Sequence, residues 1–294
     1  MKILITGGNG MLGRTLQKEL SDHELTIADL PDWDITDDTA FVDRVMELKP
    51  DLVIHAAAMT KVDDCEAKRD AAFKLNEEGS RNVALAAKLS GARLVAISTD
   101  YVFSGEPPQE PWAWGEGDIP RPRTVYGASK LAGERLIEML LPDAVILRIA
   151  WLYGAGGPSF VHTMMKLGAA PGDPLKVVDD QRGNPTSCKV VADVIRFLME
   201  KKDVSGIVHA TCENQCTWYD FAREIFRLAG VKRAVIPCTT AEFPRPAPRP
   251  ANSALKKSVL NVLGYRTPDW REALADFMKS EFPGECCLDA GGHV

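Results

Sequence analysis

A glycine-rich turn between a predicted strand and a predicted helix is the feature that most constrains the fold. The apolar run of residues 2–6 leads into residues 7–13 (GGNGMLG), and helical spacing continues to Leu20. Glycines at such a position allow backbone N–H groups to approach a pyrophosphate at the amino end of a helix. The turn therefore predicts a dinucleotide site at five residues: Gly7, Gly10, Met11, Leu12 and Gly13.

The first half of the chain repeats this strand–helix order. Apolar runs at 25–28, 52–54, 94–97 and 144–149 alternate with helical patterns at 39–48, 71–89 and 126–140. Strands that are apolar throughout are typical of sheets with helices on both faces. The pattern predicts an α/β fold with a Rossmann-type doubly wound parallel sheet over residues 1–150.

The second half is less regular. We predict strands at 175–178 and 207–209 and helices at 189–199, 218–229, 252–260 and 270–279. These segments indicate a smaller mixed α/β lobe over residues 151–282 that binds the substrate above the carboxyl edge of the sheet, with some segments returning to it. Residues 283–294 are Gly-rich and are predicted to form a flexible tail.

Composition excludes several classes of function. The net charge of −6 and the lack of a long basic run argue against a nucleic-acid partner, and no apolar segment is long enough to cross a membrane. Met1 leads directly into a strand, and the seven cysteines are odd in number, so we expect a reduced, cytoplasmic protein. Cys212 and Cys216 lack a second pair or nearby histidines, so no metal site is expected.

Three further segments are predicted to contact the dinucleotide. Asp29 follows Gly7 by 22 residues and can accept hydrogen bonds from the adenosine ribose, which slightly favours NADH over NADPH; Arg14 could instead contact a 2′-phosphate. Asp34 and Ile35 could flank the adenine, or this segment could cap the next helix through Thr36 or Asp37. Small side chains after the third strand would let a dinucleotide lie against the backbone: Ala56, Ala57 and Ala58.

Tyr126 and Lys130 form the predicted catalytic pair. Residues at i and i+4 lie on one face of a helix, and we expect the ammonium to lower the tyrosine pKa so that Tyr126 can protonate a carbonyl oxygen. Thr99 and Asp100 end the fourth strand, where they could bind a substrate oxygen or only cap the loop. Asn76 could bridge backbone groups nearby, or lie on a solvated face.

Several motifs resemble one enzyme family. They are ITGGNGMLG at 5–13, HAAAMTKVDDCE at 55–66, STDYVFSG at 98–105, YGASKLAGE at 126–134, RIAWLYG at 148–154, DQRGNPT at 180–186 and RPANSAL at 249–255. Together they resemble the dTDP-4-dehydrorhamnose reductase family of the extended short-chain dehydrogenase/reductase superfamily, over Met1 to about Phe282. The resemblance implies reduction of a 4-keto group on a dTDP-linked 6-deoxy sugar by NADH or NADPH.

The resemblance also assigns roles by position. Thr99, Tyr126 and Lys130 would be catalytic, the cofactor residues would be those named above together with Tyr126 and Lys130, and Thr99, Asp100 and Trp151 would contact the nucleotide sugar. Some family members dimerise through magnesium bound by an acidic residue after the last glycine of the turn. Here Arg14 and Thr15 follow Gly13, so a homodimer would have to form in another way.

Two alternatives remain open from the sequence. The regulatory beta subunit of methionine adenosyltransferase resembles the same family and acts by binding a catalytic partner. Another nucleotide-sugar reductase, an epimerase or a dehydratase would share the fold. His55 stands where the family more often has asparagine, and a histidine at a strand end is usually structural.

Overall fold

Six parallel strands form the central sheet in the computed structural model of the chain, which describes residues 1–106 and 113–284. Numbered along the chain, the strands are β1 (Lys2–Thr6), β2 (Glu24–Ala28), β3 (Leu52–His55), β4 (Arg93–Thr99), β5 (Val145–Ile149), β6 (Leu152–Tyr153), β7 (Leu175–Val178), β8 (Arg182–Gly183), β9 (Thr186–Ser187), β10 (Gly206–His209), β11 (Cys216–Thr217) and β12 (Val235–Cys238). The order β10-β5-β4-β3-β1-β2 places the end of β1 between the ends of β2 and β3.

The described helices cover both faces of this sheet and build the second half. They are α1 (Met11–Glu19), α2 (Asp38–Leu48), α3 (Val62–Ala67), α4 (Arg69–Phe73), α5 (Gly79–Ser90), α6 (Val125–Leu140), α7 (Phe160–Ala169), α8 (Cys188–Glu200), α9 (Trp218–Ala229), α10 (Ser258–Val262) and α11 (Trp270–Glu281). None of the helices in the described ranges is long and apolar enough to span a membrane.

Alternate residues of each central strand enter two different cores. Ile3 and Ile5 of β1 pack with Leu16 of α1 and Val191 of α8 on one face. Leu4, which lies between them, packs on the other face in the core formed by α2 and α5. This alternation is the reason that the strands are apolar at every position, and it confirms the predicted doubly wound sheet.

The second half has a core of its own. Phe221, Trp270 and Leu274 are fully buried among α7, α9 and α11. β10 leaves this region and pairs with β5 in the central sheet. The boundary at residue 150 and the assignment of 151–282 as a substrate lobe stay predictions.

Two predicted helices differ from the structure. The helix over 71–89 is broken by a π-helical turn, Lys74–Glu78, between α4 and α5. The helix over 252–260 is restricted to Ser258–Val262, because the backbone before it forms extended bonds: Ser253 N–H donates to Arg182 O and Lys256 N–H to Trp114 O. Of the predicted tail, residues 285–294, including Cys286 and Cys287, lie outside the described ranges.

Candidate active site

A cavity of about 700 Å³ opens at the carboxyl edge of the sheet. Except for the alternative contact Arg14, the residues that the sequence singled out for the cofactor, the substrate or catalysis line it: Gly7, Gly10, Met11, Leu12, Gly13, Asp29, Asp34, Ile35, Ala56, Ala57, Ala58, Thr99, Asp100, Tyr126, Lys130 and Trp151. Parallel strands end at this edge, so the loops that follow β1, β2, β3, β4 and β5 meet there.

The turn after β1 has room only for glycine at two positions. Gly7 has a φ of +70°, and a Cβ on it would lie 2.6 Å from the backbone nitrogen of Ala57. A Cβ on Gly13 would overlap the carbonyl oxygen of Gly7. The helix α1 therefore begins close against the loop after β3, and its amino end faces the cavity. This arrangement fits a dinucleotide pyrophosphate.

Asp29 is held by the glycine turn. Its Oδ2 accepts a hydrogen bond of 2.8 Å from the Asn9 N–H, and its Oδ1 accepts one of 2.9 Å from the Leu30 N–H. The carboxylate is exposed enough to accept a further bond from a ribose hydroxyl. Arg14 does not line this cavity; it lies in a separate groove, and its Nε donates to Asn9 O at 3.0 Å.

Trp33 lines the same end of the cavity and was missed by the sequence reasoning. Its ring meets Phe41 edge-on at a centroid distance of 5.8 Å, and the Arg44 guanidinium lies 5.3 Å from its centroid. An aromatic residue between Asp29 and Asp34 was a visible signal, because both acidic residues were already assigned to the cofactor.

Asp34 and Ile35 line the cavity, and Asp34 also forms hydrogen bonds within its own loop. The Asp34 carboxylate accepts bonds of 2.8 Å from the Thr36 backbone N–H and hydroxyl, and these bonds hold the pKa of Asp34 below its usual value. The cap of α2 is Asp37, whose carboxylate accepts from the Ala40 N–H at 3.0 Å. The helix cap at Asp37 is therefore confirmed, and the contact of Asp34 and Ile35 with the adenine stays a prediction.

Thr124 fixes the start of the catalytic helix. Its hydroxyl accepts a 3.0 Å bond from the Gly127 N–H, so α6 begins at Val125 and turns Tyr126 and Lys130 toward the cavity. The Lys130 ammonium donates to Ile97 O at 2.8 Å. Burial lowers the pKa of Lys130 to about 8.

The expectation of a lowered Tyr126 pKa is wrong. Burial raises the pKa of this phenol well above its usual value, and a hydrogen bond with Thr99 opposes the rise only in part. Burial of the phenol is the largest cause, and the Lys130 ammonium donates to the Ile97 carbonyl instead. Tyr126 therefore keeps its proton at neutral pH, which is the state that a proton donor needs.

Thr99 and Asp100 lie side by side at the end of β4. The Thr99 hydroxyl donates to Asp100 Oδ1 at 3.0 Å and accepts from the Tyr101 N–H at 3.2 Å, so it also caps the turn Asp100–Val102. Asp100 Oδ2 is buried without a hydrogen-bond partner in the described part of the chain. Burial raises the pKa of Asp100 to about 6, although hydrogen bonds with Ser253 and Thr99 oppose the rise.

Trp151 forms a rigid wall of the cavity. Its backbone has a φ of +46°, and its indole stacks on Trp218 at a centroid distance of 3.5 Å with an interplanar angle of 6°. A Cβ on Gly183 would overlap the indole at Nε1. One face of the indole is thus covered by Trp218.

Asn76 bridges the loop after β3 and the catalytic helix. Its side-chain oxygen accepts from the Met59 N–H at 2.8 Å, and its amide nitrogen donates to Met59 O at 3.1 Å and to the Ser129 hydroxyl at 3.0 Å. The residue is fully buried in the π-helical turn. The bridging role expected for Asn76 is confirmed.

Five cysteines of the described ranges are buried free thiols. Cys212 and Cys216 are buried free thiols, and burial raises the pKa of Cys212 to about 12. Within residues 1–106 and 113–284, no three acidic, histidine or cysteine side chains are close enough together to hold a metal ion.

Comparison with known proteins assigns the family. The sequence pattern of the RmlD substrate binding domain matches residues 1–282. The chain belongs to that family. A relative from Streptomyces antibioticus, named as a probable dTDP-4,6-dihydroxy-2-methyloxan-3-one 4-ketoreductase, is 41% identical over 292 residues, which cover 96% of this chain and 98% of the relative.

Solved structures of dTDP-4-dehydrorhamnose reductases share the whole fold of this RmlD-family chain. The structure from Clostridium acetobutylicum has a TM-score of 0.91 at 46% identity and covers 96% of this chain and 99% of its own. The structure from Bacillus anthracis, in complex with NADP, has a TM-score of 0.91 at 39% identity and covers 95% and 99%.

Proposed function

We propose that this chain reduces the 4-keto group of a dTDP-linked 6-deoxy sugar, converting dTDP-4-dehydro-L-rhamnose to dTDP-L-rhamnose with NADH or NADPH. The observation that carries the proposal is the juxtaposition of Tyr126 and Thr99 with the glycine turn in a single cavity. The names of the family relatives supply the substrate class.

The side chains have distinct roles in the proposed reaction. A dihydronicotinamide bound in the cavity supplies the hydride to the carbonyl carbon. Tyr126 donates its phenolic proton to the carbonyl oxygen. The Thr99 hydroxyl, which donates to Asp100 Oδ1 in the structure, turns its proton to the same carbonyl oxygen when the substrate binds. Lys130 contributes positive charge that stabilises the phenolate left on Tyr126. Solvent returns the proton to Tyr126 after the product leaves.

Two side chains of the cavity are suited to contact the sugar. Asp100 offers Oδ2, which has no hydrogen-bond partner among residues 1–106 and 113–284, and Trp151 offers an indole edge and its remaining face. We propose that these two side chains hold the sugar ring while the nucleotide extends toward the lobe of residues 151–282. A homodimer that does not depend on magnesium remains a prediction.

The test is turnover on a defined panel of sugars. The purified chain is incubated with the dTDP-4-keto-6-deoxy-L-sugar, generated in situ by an epimerase, and the absorbance of NADH and NADPH is followed in separate reactions. Oxidation that yields dTDP-L-rhamnose supports the proposal. Turnover restricted to a methyl-branched 4-ketosugar would assign the chain to the chemistry named for the Streptomyces antibioticus relative. Tight cofactor binding without turnover of any ketosugar would contradict both.

We further propose a preference for NADH, set by Asp29. Its carboxylate is fixed against the Asn9 N–H at 2.8 Å and repels a 2′-phosphate at the same place. Asp29→Ala should shift the ratio of kcat/KM values toward NADPH by about tenfold, because one close charge repulsion is removed. Asp32→Ala, a neighbouring acidic residue outside the cavity lining, is the matched control. An unchanged ratio in Asp29→Ala would refute this role.

A further inference from the structure

His55 lies fully buried at the end of β3, between the cofactor loop and the catalytic helix. Its Nδ1 is 2.7 Å from the Thr6 hydroxyl, and its Nε2 is 3.0 Å from the Ser80 hydroxyl. Neither the proton transfer nor the binding roles proposed above use this side chain. Its two ring nitrogens nevertheless point to the two halves of the site.

The hydrogen bonds around His55 have one consistent direction. The Ser80 hydroxyl donates its proton to Asn76 O at 2.6 Å, so it must accept a proton from His55 Nε2. His55 Nδ1 then carries the lone pair and accepts from the Thr6 hydroxyl. Thr6 Oγ1 in turn accepts from the Ala57 N–H at 3.4 Å, a long bond. The neutral Nε2–H tautomer is the only form that satisfies every partner.

A second set of hydrogen bonds starts from the Asn76 side chain and leads to the catalytic tyrosine. The Asn76 amide donates to the Ser129 hydroxyl at 3.0 Å, and that hydroxyl donates to Tyr126 O at 2.9 Å. Asn76 O and Ser80 Oγ also set the closest approach of α6, because a Cβ on Gly133 would overlap the one and lie 3.0 Å from the other. A buried polar chain thus joins Ala57, on the cofactor wall, to the backbone of Tyr126.

We propose that His55 is a positioning residue that holds the cofactor wall through Nδ1 and the catalytic helix through Nε2. The proposal rests on the proposed function only for the identity of the reaction. It predicts that mutation can separate the effects of the two ring nitrogens, because each nitrogen acts on a different half of the site.

His55 does not act as a proton carrier in this arrangement. Burial, together with the positive charge of Lys130, lowers the pKa of His55 to about 3. The groups that face it are the hydroxyls of Thr6 and Ser80 and the Lys130 ammonium, and none of them favours the imidazolium. The ring therefore stays neutral and keeps one tautomer throughout the working range of pH.

Two amide substitutions test the separation. In His55→Asn the side-chain oxygen takes the place of Nδ1 and keeps the Thr6 bond, but the side chain is too short to reach Ser80. In His55→Gln the amide nitrogen takes the place of Nε2 and keeps the Ser80 bond. Asparagine is the residue more common in the family at this position, so we expect His55→Asn to retain the cofactor Kd and to lose only about threefold in kcat, because the Ser80 hydroxyl of this chain loses its donor. His55→Gln should weaken the cofactor Kd about tenfold with little loss in kcat.

Two readouts need no sugar substrate, so they test the inference separately from the reaction. The Kd for NADH is measured by titration, and hydrogen–deuterium exchange is measured over residues 74–80 and 125–130. We expect exchange in both segments to rise in His55→Asn and to stay near the wild-type level in His55→Gln. A nitrogen-15 spectrum of the wild type should show the Nε2–H tautomer, unchanged from pH 5.5 to 8.

His209→Asn is the matched control. His209 is equally buried in β10, with its Nδ1 2.8 Å from Lys256 O, and it does not line the cavity. Its substitution should lower the Tm without separating Kd from kcat. The inference is overturned if His55→Asn and His55→Gln change the same quantities to the same extent, if exchange is unaltered in both, or if His55 carries its proton on Nδ1. Absence of sugar turnover in the wild type would refute the proposed function and leave Kd, exchange and tautomer to decide this inference.

Discussion

Burial sets the protonation states of the side chains around the cavity. The pKa of Tyr126 is raised above its usual range, the pKa of Lys130 is lowered to about 8 and the pKa of Asp100 is raised to about 6. Desolvation is the largest cause of all three shifts. A neutral phenol beside a cation suits reduction, where the carbonyl oxygen gains a proton as hydride arrives.

The phenol of Tyr126 is expected to be required for chemistry and dispensable for binding. Tyr126→Phe should retain NADH binding within about twofold and lose about 10²–10⁴-fold in kcat, since general acid catalysis contributes that much. Cofactor titration and steady-state kinetics give the two values. Tyr219→Phe, at a tyrosine of α9 outside the cavity lining, should leave both unchanged. A kcat for Tyr126→Phe within threefold of wild type would remove Tyr126 from the mechanism.

Asp100 should make stability depend on pH. Its pKa rises from 3.8 in the unfolded chain to about 6 in the folded one, so the folded state binds more protons between these values and stability falls as pH rises through them. Above pH 6 the buried carboxylate lowers the free energy of unfolding by up to about 3 kcal/mol.

Asp100→Asn replaces the ionisable carboxyl by a neutral amide and so removes this destabilisation. The variant should be more stable than wild type at pH 8 and nearly equal to it at pH 4, while losing activity through the substrate contact proposed for Asp100. Urea unfolding at the two pH values measures the difference. Asp173→Asn, at an exposed residue, is the control. Equal stability of Asp100→Asn and wild type at pH 8 would show that the buried carboxylate is better solvated than its surroundings indicate.

At the scale of elements, the close approach of α6 to the π-helical turn decides the geometry of the site. The Cβ of Gly133→Ala would overlap Asn76 O and press on Ser80. We expect the substitution to destabilise the fold by about 1–3 kcal/mol and to lower kcat as well, because the helix that carries Tyr126 must shift.

The matched control is Gly117→Ala, where an added Cβ meets nothing within 4 Å. Thermal unfolding and steady-state kinetics are measured for both variants. If Gly133→Ala loses stability but keeps kcat, the position of α6 against Asn76 is not important for the reaction.

The elements that the sequence predicted well are those with one dominant signal. β1 and β7 begin and end where the apolar runs do, and α9 matches its helical spacing, because Thr217 and Gly230 mark its ends. The π-helical turn was not predictable, since it inserts a residue into a helix whose apolar spacing stays nearly continuous. Residues 252–257 have helical composition, but their backbone bonds go to Arg182 and Trp114, which are distant in sequence.

The residues of the site that the sequence predicted well also have a strong local signal. The glycine turn and the Tyr126–Lys130 pair were visible because their spacing is local, and the cavity gathers them as expected. The raised pKa of Tyr126 and the chain through His55 depend on contacts between β1, β3, α5 and α6 that spacing does not encode.

At the scale of the whole molecule, the cavity is built from loops that follow five different strands of one sheet. A ligand that contacts all of these loops should stabilise the entire fold, since only the folded state assembles them. NADH at 100 times its Kd should add about 2.7 kcal/mol to the free energy of unfolding and raise the Tm by several degrees.

The shift is measured by calorimetry with and without NADH. Inorganic pyrophosphate at the same concentration is the control, because it offers charge without the adenosine and nicotinamide ends. An equal shift with pyrophosphate would mean that the glycine turn alone accounts for binding.

The paired indoles of Trp151 and Trp218 carry a consequence for spectroscopy. Two parallel rings with centroids 3.5 Å apart do not absorb light independently, since their transition dipoles couple and divide into two shared excitations. Such coupling gives circular dichroism of opposite sign on either side of the indole band, and its strength changes with the angle between the rings. The protein therefore contains its own chromophore in the wall of the cavity, and movement of that wall can be followed by light without any label.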